Sequence, residues 1–367
     1  MINVSFFPSR RLALYMVRLF LTRSLAVLVA LVLVLMTLDL LGESGKILAI
    51  PGNGDAELWR YVALRIPLIV SRFLPFSVLL GTLIAFVGLN QHSEVVAMKA
   101  AGLSAHQILA PLVIASIGIA AALFVFNETV VVNSARVVNA WSDNDYKPIP
   151  PDRGILSNVW ILSGDDLINA GIVNGRPPNL VVRQMRIYDR SGGVLQRMIS
   201  AARAVPLPGS RGWLLDDVRI YDANMNVVRR VPRMIGLQGV APERLTIAKV
   251  DPNVLDYWTL KSRIAELEAA GRPADEPKAG LAHKISGPVS TLLMPLLAAV
   301  AAFGLARSGQ VLLRASLGMA LGFAYFVADN FSLAMGNAGA YPPLVAAWGP
   351  FLLFLLIGET VLVRTEE

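Results

Sequence analysis

The chain contains no cysteine, which excludes structural disulfides and every thiolate-ligated metal site. Histidine is scarce as well. His92, His106 and His283 are the three in the sequence, and neither H-E-x-x-H nor another ligand spacing joins them. No G-x-S-x-G elbow is present. Gly42-Glu43-Ser44-Gly45-Lys46 has glycines and a lysine, but not the spacing of a phosphate-binding loop. Charge is thin throughout: 16% of residues are Asp, Glu, Lys or Arg, against about 25% in a soluble domain. These absences point to a chain that is no enzyme and holds no cofactor of its own.

What the chain has in abundance is apolar surface. Of 367 residues, 55% are hydrophobic, and mean hydropathy is +0.57. The apolar residues are gathered in runs near 19–41, 64–90, 107–127, 284–306, 315–335 and 343–363. A bilayer core about 30 Å thick needs about 20 such residues in helical form. The expected fold class is therefore a membrane α-helical bundle of six transmembrane helices, split three and three around an inserted all-β domain. The expected division is 1–127, 128–283 and 284–367. Arg10, Arg11, Arg18 and Arg23 precede the first run, which spans Leu25–Leu41 and is longer than the roughly 7–15 residues of a signal h-region; a retained first helix is expected.

Short-loop charge sets the orientation. The N-terminal arginines, Lys99, Arg307, Arg314 and Arg364 fall on one face, which the positive-inside rule makes cytoplasmic. Both termini are then cytoplasmic, and the polar block lies on the far side. Net charge is +7, an excess that suits membrane anchoring better than nucleic acid. Pro67 and Pro75 stand in the second run and Pro288 and Pro295 in the fourth. They are read either as ordinary helix bends or as the joints of a bundle that opens and closes. Asp39, Arg72 and Asp329 lie inside apolar runs, where an unpaired charge is expensive; Arg72 and Asp329 either pair with one another or line a cavity.

The polar block reads as β. Val181 to Tyr188 alternates in part, Asp189-Arg190-Ser191-Gly192-Gly193 supplies a turn, and Val194 to Ile199 returns. Arg186-Ile187-Tyr188-Asp189 recurs as Arg219-Ile220-Tyr221-Asp222, followed by Val227-Val228. Two similar hairpins in one sheet system are expected, within a sandwich, jelly roll or open barrel. An amphipathic helix follows over about 259–270, with Leu260, Ile264 and Leu267 on one face and Gly271 at its end.

The sharpest local pattern lies between the second and third runs. Ser93 suits an N-cap, Glu94 a first turn, and Gly102 a C-terminal stop. A short helix over about 92–103 is expected outside the bilayer. Its Val95, Met98 and Leu103 either rest on the bundle and headgroups or dock in a groove of a cytoplasmic partner.

Glu94-Val95-Val96-Ala97-Met98-Lys99-Ala100-Ala101-Gly102-Leu103-Ser104 resembles the corresponding loop of the LptF/LptG family of lipopolysaccharide export permeases, and is closer to its LptG branch. Tyr15 to Thr22, Asp251-Pro252-Asn253, Phe326-Val327-Ala328-Asp329-Asn330 and Tyr341-Pro342-Pro343 agree, so the resemblance covers essentially the whole chain. It implies a permease subunit paired with an LptF paralogue in the inner membrane of a Gram-negative bacterium. A cytoplasmic LptB ATPase dimer, which binds the ATP, docks on the coupling helix, with Glu94, Val95, Met98, Lys99 and Leu103 as the docking residues. The central block is then a periplasmic, jelly-roll-like domain that hands lipopolysaccharide to the bridge protein LptC. Lipid A phosphates call for cations near the periplasmic face. Arg136 matches a basic residue of the family; Arg60, Arg65, Arg72 and Lys46 are candidates by position. The family's lysines just after the first span are replaced here by Gly42-Glu43. Two other functions compete: a mechanotransducing permease pulling on a periplasmic partner without moving lipid, and a membrane-anchored assembly module. The coupling-helix pattern counts against the module, and six spans against the mechanotransducer.

Overall fold

The computed structural model describes residues 8–147, 155–175, 179–191, 193–207, 212–223, 226–242, 245, 250–269, 272–303 and 311–364. The chain divides into two compact units. One comprises Met1–Ile149, Asp251–Ala265 and Pro273–Glu367, the other Pro150–Val250 and Glu266–Arg272.

The first unit is helical. Its elements are α1 (Arg10–Leu48), α2 (Asp55–Gln91), α3 (Glu94–Ala100), α4 (Ala105–Phe126), a π-helical turn (Asn127–Val131) and α5 (Val132–Asp143). A 3-10 turn (Pro252–Val254) and α6 (Tyr257–Ala269), whose residues from Glu266 on are counted with the second unit, follow, then α7 (Asp275–Phe303), α8 (Val311–Asn337) and α9 (Pro343–Arg364). Among the described residues five helices are long and apolar enough to cross a membrane: α1, α2, the continuous run Ala105–Asp143, Ser316–Asn337 and α9. The expected fourth span lies in α7, which is not among those five. His283, Lys284, Ser286, Ser290 and Thr291 dilute its first half. This helix packs against α2, α4, α8 and α9, and Leu293, Met294, Leu297, Ala298 and Ala299 are buried there. A central helix meets other helices rather than lipid, so its apolar content is not set by the bilayer. Arg307 lies outside the described residues.

The boundaries expected at 127/128 and 283/284 both fall inside continuous helices. Chain 105–143 runs without a break through the π turn, and α7 begins at Asp275. The prolines at 67, 75, 288 and 295 also lie inside helices. Hydroxyl groups bond to carbonyls nearby, as in Thr291 Oγ1 to the Pro288 oxygen at 2.8 Å and Ser77 Oγ to that of Leu74 at 2.8 Å.

Helices α1 and α2 form an antiparallel pair whose closest approach is at Ser24 and Gly81. A Cβ on Gly81 would lie 2.4 Å from Ser24 Oγ and 2.5 Å from its backbone, so only glycine lets the two backbones meet there. Gly88, in the same helix, has nothing within 4 Å. Gly81→Ala is expected to lower stability by about 1–3 kcal/mol, while Gly88→Ala is neutral or stabilising by up to about 1 kcal/mol. Thermal unfolding in detergent compares the two; equal midpoints would remove the close approach as a determinant.

The second unit is one six-stranded antiparallel sheet in the order β1-β2-β3-β4-β5-β6. The strands are Ile155–Ser163, Asp166–Asn174, Val181–Ser191, Val194–Pro206, Trp213–Asp222 and Val227–Gly236. The expected hairpins β3–β4 and β5–β6 are present, side by side in that sheet. The jelly-roll-like arrangement is not what these strands form: each pairs with its sequence neighbour, and no Greek-key crossover joins them among the described residues. Burial explains why alternation was only partial. Val182, Met185 and Ile187 are buried on β3, and Trp213, Leu215 and Val218 on β5, so the inward set slips by one residue on each strand. The slips fall at Gln184 (φ +55°) and Asp217 (φ +51°). Gly171 lies against the first of them; a Cβ there would be 2.9 Å from that of Gln184. The inward residues form one core with Val240 and Leu245, and the Trp213 indole donates to the Val240 carbonyl at 2.9 Å.

Helix α6 begins two residues before its expected start, because the Asp256 carboxylate accepts from the Thr259 amide at 3.0 Å. Hydrogen bonding from the Thr259 side chain, and then from its amide, holds the Asp256 carboxyl below its ordinary value. Leu260, Ile264 and Leu267 are buried along one face, as their spacing requires. Gly271 and Gly192 lie outside the described residues.

Candidate functional site

At one end of the helical unit, α3 sits between α2 and α4. Gly102 (φ +85°) ends it, with Gly102 N bonded to the Lys99 carbonyl at 2.9 Å and Leu103 N to that of Met98 at 3.2 Å, the paired closure of a Schellman motif. Ser93 precedes the helix but does not cap it through its side chain; it adopts φ +56° and makes no cap hydrogen bond. Val95 is 4% exposed and Met98 8%. Both belong to the bundle core, and Leu103 packs against it. These residues therefore seat the helix on the bundle and are not free to enter a partner's groove. The outward side carries Val96, 64% exposed, and Lys99, also exposed; Glu94 is half-buried. The Tyr15 hydroxyl of α1 donates to Glu94 Oε1 at 3.2 Å. Val96 went unrecognised because an isolated valine carries no signal until its neighbours are seen to be buried.

Toward the other end, the charges of α1 and α2 satisfy one another. Arg65 binds Asp39 through two parallel hydrogen bonds, Nε to Oδ2 at 3.0 Å and Nη2 to Oδ1 at 2.9 Å, and the Tyr61 hydroxyl donates to Oδ2 at 2.6 Å. Lys46 pairs with Glu43 at 2.8 Å. The Arg60 guanidinium lies 5.1 Å from the centre of the Trp141 ring. Arg136 donates to the Val254 carbonyl at 3.3–3.4 Å. Four of the five cations considered for phosphate thus already have partners. Tyr146 joins the cluster, donating to Glu43 Oε2 at 2.8 Å; burial raises its pKa first, and the carboxylate adds to the rise.

The fifth cation is different. Arg72 lines a cavity of about 520 Å³ inside the helical unit, walled by α2, α4, the π turn, α5, α7 and α8. It has no ion pair among the described residues. Asp329 lines the same cavity, but its carboxylate lies beside the His283 ring of α7, at 3.9 Å, and makes no ion pair with Arg72. Ser286 Oγ lies 3.4 Å from His283 Nδ1. The π turn aims two polar residues inward. Asn127 Oδ1 accepts from Ser71 at 2.6 Å. Glu128 pairs with Lys284 at 2.8 Å and also accepts from the Tyr257 amide. Such π turns often mark functional positions. Asn127-Glu128 at the end of an apolar run was the available signal, read instead as the end of a span.

The arrangement is thus an intramembrane cavity with one arginine lacking a carboxylate partner, and at the opposite end a short helix seated by its apolar side. Comparison with known proteins decides the family: a model described as lipopolysaccharide export system permease LptF/LptG matches residues 14–364. The chain belongs to the LptF/LptG family.

The lipopolysaccharide export system permease protein LptG of Escherichia coli strain K12 is 25% identical over 350 residues, covering 93% of this chain and 94% of that protein. The LptG protein of Haemophilus influenzae is 23% identical over 334 residues, covering 86% and 89%. The matched region includes α3, the Asp251-Pro252-Asn253 turn, where the Asp251 carboxylate accepts from the Asn253 amide at 2.9 Å, and Asp329-Asn330 of α8. In this LptF/LptG permease the helical bundle makes an integral inner-membrane protein, and the chemistry its residues offer is binding and movement.

Proposed function

We propose that this chain is the LptG-type half of an ABC-type exporter that extracts lipopolysaccharide from the inner membrane and passes it to a periplasmic bridge such as LptC. The observation that carries this reading is the cavity with Arg72 on its wall. Arg72 is exposed on α2; inside a span, and without a carboxylate partner among the described residues, it is costly unless a ligand or a second subunit supplies the anion, and lipid A phosphates are such a ligand. In this reading α7 is the sixth span, and both termini are cytoplasmic and the sheet periplasmic by the short-loop charge. An LptF-type paralogue closes the open side of the bundle: α1 leaves Leu25, Leu33, Leu38 and Leu41 exposed, a face that needs lipid or a second subunit. The chain binds no nucleotide; an LptB-type ATPase dimer acts on α3 through Glu94, Val96 and Lys99. Val95, Met98 and Leu103 transmit the push into the core because they are packed in it.

Gentle purification of the tagged chain tests the assembly. Recovery of a cytoplasmic ATPase and a homologous six-span partner supports it, and a lone chain overturns it. Arg72→Ala tests the cavity. Lipid release is expected to fall about tenfold or more, the size of one lost charge-assisted hydrogen bond. Assembly and thermal stability stay unchanged, since no ion pair of the chain is broken. Normal lipid release by Arg72→Ala would reject the phosphate role.

A further inference from the structure

The outward face of the sheet carries an arginine field that the sheet itself does not need. The repeated Arg-Ile-Tyr-Asp segments lie on β3 and β5, and β4 holds them in one register: Arg186 opposite Ser200, Ser200 opposite Arg219, and Arg219 opposite Arg230 on β6. Another row places Arg183 opposite Arg203, followed by Asp216 and Arg233. Ile187, Ile199 and Ile220 pack with the core, so by alternation their arginine neighbours face away from it, and all five of Arg183, Arg186, Arg203, Arg219 and Arg230 are exposed. Ion pairs join Arg197 to Asp189 and Arg233 to Asp216; the other five have no carboxylate partner among the described residues. Like charges directly opposite one another destabilise a sheet, so Arg219 against Arg230 and Arg183 against Arg203 cost stability without an anion between them.

Beside this field, on the same face, lies an aromatic platform. Trp160 stacks on Tyr188 with ring centres 5.9 Å apart and planes at 20°, and Trp160 remains 44% exposed. Tyr188, Met198 and Tyr221 form the row next to that of Arg186. From β3 to β6 the arginine row spans about 14 Å at roughly 4.8 Å per strand.

We infer that this face is a binding site for a phosphorylated saccharide. Guanidinium groups meet phosphate oxygens in a bidentate fork, and the negative face of an aromatic ring receives the C–H edge of a sugar. The inference rests on the permease reading for its ligand, the phosphorylated sugar portion of the exported lipid, and is tested without the export machinery. The full chain in zwitterionic nanodiscs is titrated with deacylated lipopolysaccharide oligosaccharide, followed by tryptophan fluorescence and calorimetry. Saturable binding is expected, weakening with salt, at least tenfold weaker after enzymatic removal of the phosphates, at least tenfold weaker in Arg186→Gln/Arg219→Gln, and severalfold weaker in Trp160→Leu. Equal binding of the dephosphorylated sugar, or unchanged binding by the arginine variant, overturns the site. So does binding of phosphatidylglycerol vesicles through these arginines in place of the oligosaccharide, which makes the face a membrane contact. Co-purification of the ATPase reads the permease assignment separately: losing it leaves the oligosaccharide result standing, and the reverse also holds.

Discussion

Glu94→Arg is expected to insert into the membrane and pair with its paralogue normally, yet release lipopolysaccharide at least about thirtyfold more slowly. Glu94 stands in the first turn of α3, half-buried, with Tyr15 holding one carboxylate oxygen. In the proposed assembly the other oxygen faces a basic group on the ATPase. Truncating one partner of a desolvated charge pair costs about 2–5 kcal/mol, and 2 kcal/mol is roughly thirtyfold; reversing the charge adds repulsion. ATP hydrolysis in the assembled complex should persist while lipid release fails. Tyr15→Phe removes only the neutral donor and should stay within about tenfold of wild type. Wild-type lipid release by Glu94→Arg would move the coupling contact to another part of α3, with Val96 and Lys99 next in line.

Arg65→Leu should be the most destabilising single change among the intramembrane charges, by about 3–5 kcal/mol. It strands Asp39, which then keeps only the Tyr61 hydrogen bond. Breaking one side of a low-dielectric pair leaves an uncompensated charge, whereas removing both sides is often close to neutral. The double variant Asp39→Leu/Arg65→Leu should therefore recover much of the loss. Thermal unfolding of the detergent-solubilised protein measures both. A double variant as unstable as Arg65→Leu alone would show that packing, not charge, sets the cost. The same network changes what Arg65 can be: a guanidinium already held by two hydrogen bonds to one carboxylate is a structural tie between α1 and α2, and the proposed phosphate role falls to Arg72.

Much of this was legible because the physics involved is local. Apolar run length marked the long helices without reference to contacts, since a bilayer is a uniform solvent. Gly102 ended α3 as expected, because a left-handed closure is a property of one residue. The Leu260, Ile264, Leu267 spacing marked the buried face of α6 for the same reason. The misreadings share another cause. The 127/128 boundary was placed where apolarity stops, but a helix continues as long as its hydrogen bonds do, and Asn127 and Glu128 find partners on α2 and α7. Val95 and Met98 stayed open between bundle contact and docking because a seven-residue helix shows its pattern but not its neighbour.

The sequence by itself determined the membrane class, a β block inserted between helical segments, and the family, because these follow from composition, run length and short motifs. Only the tertiary structure decided which charges are spent on one another and which have no ion pair among the described residues. Pairing depends on distances between helices far apart in the chain, such as Asp39 with Arg65 and Glu128 with Lys284. It also decided that the repeated Arg-Ile-Tyr-Asp segments lie in one register across β4, because strand order and phase slips are set by packing of the whole sheet and not by any strand alone.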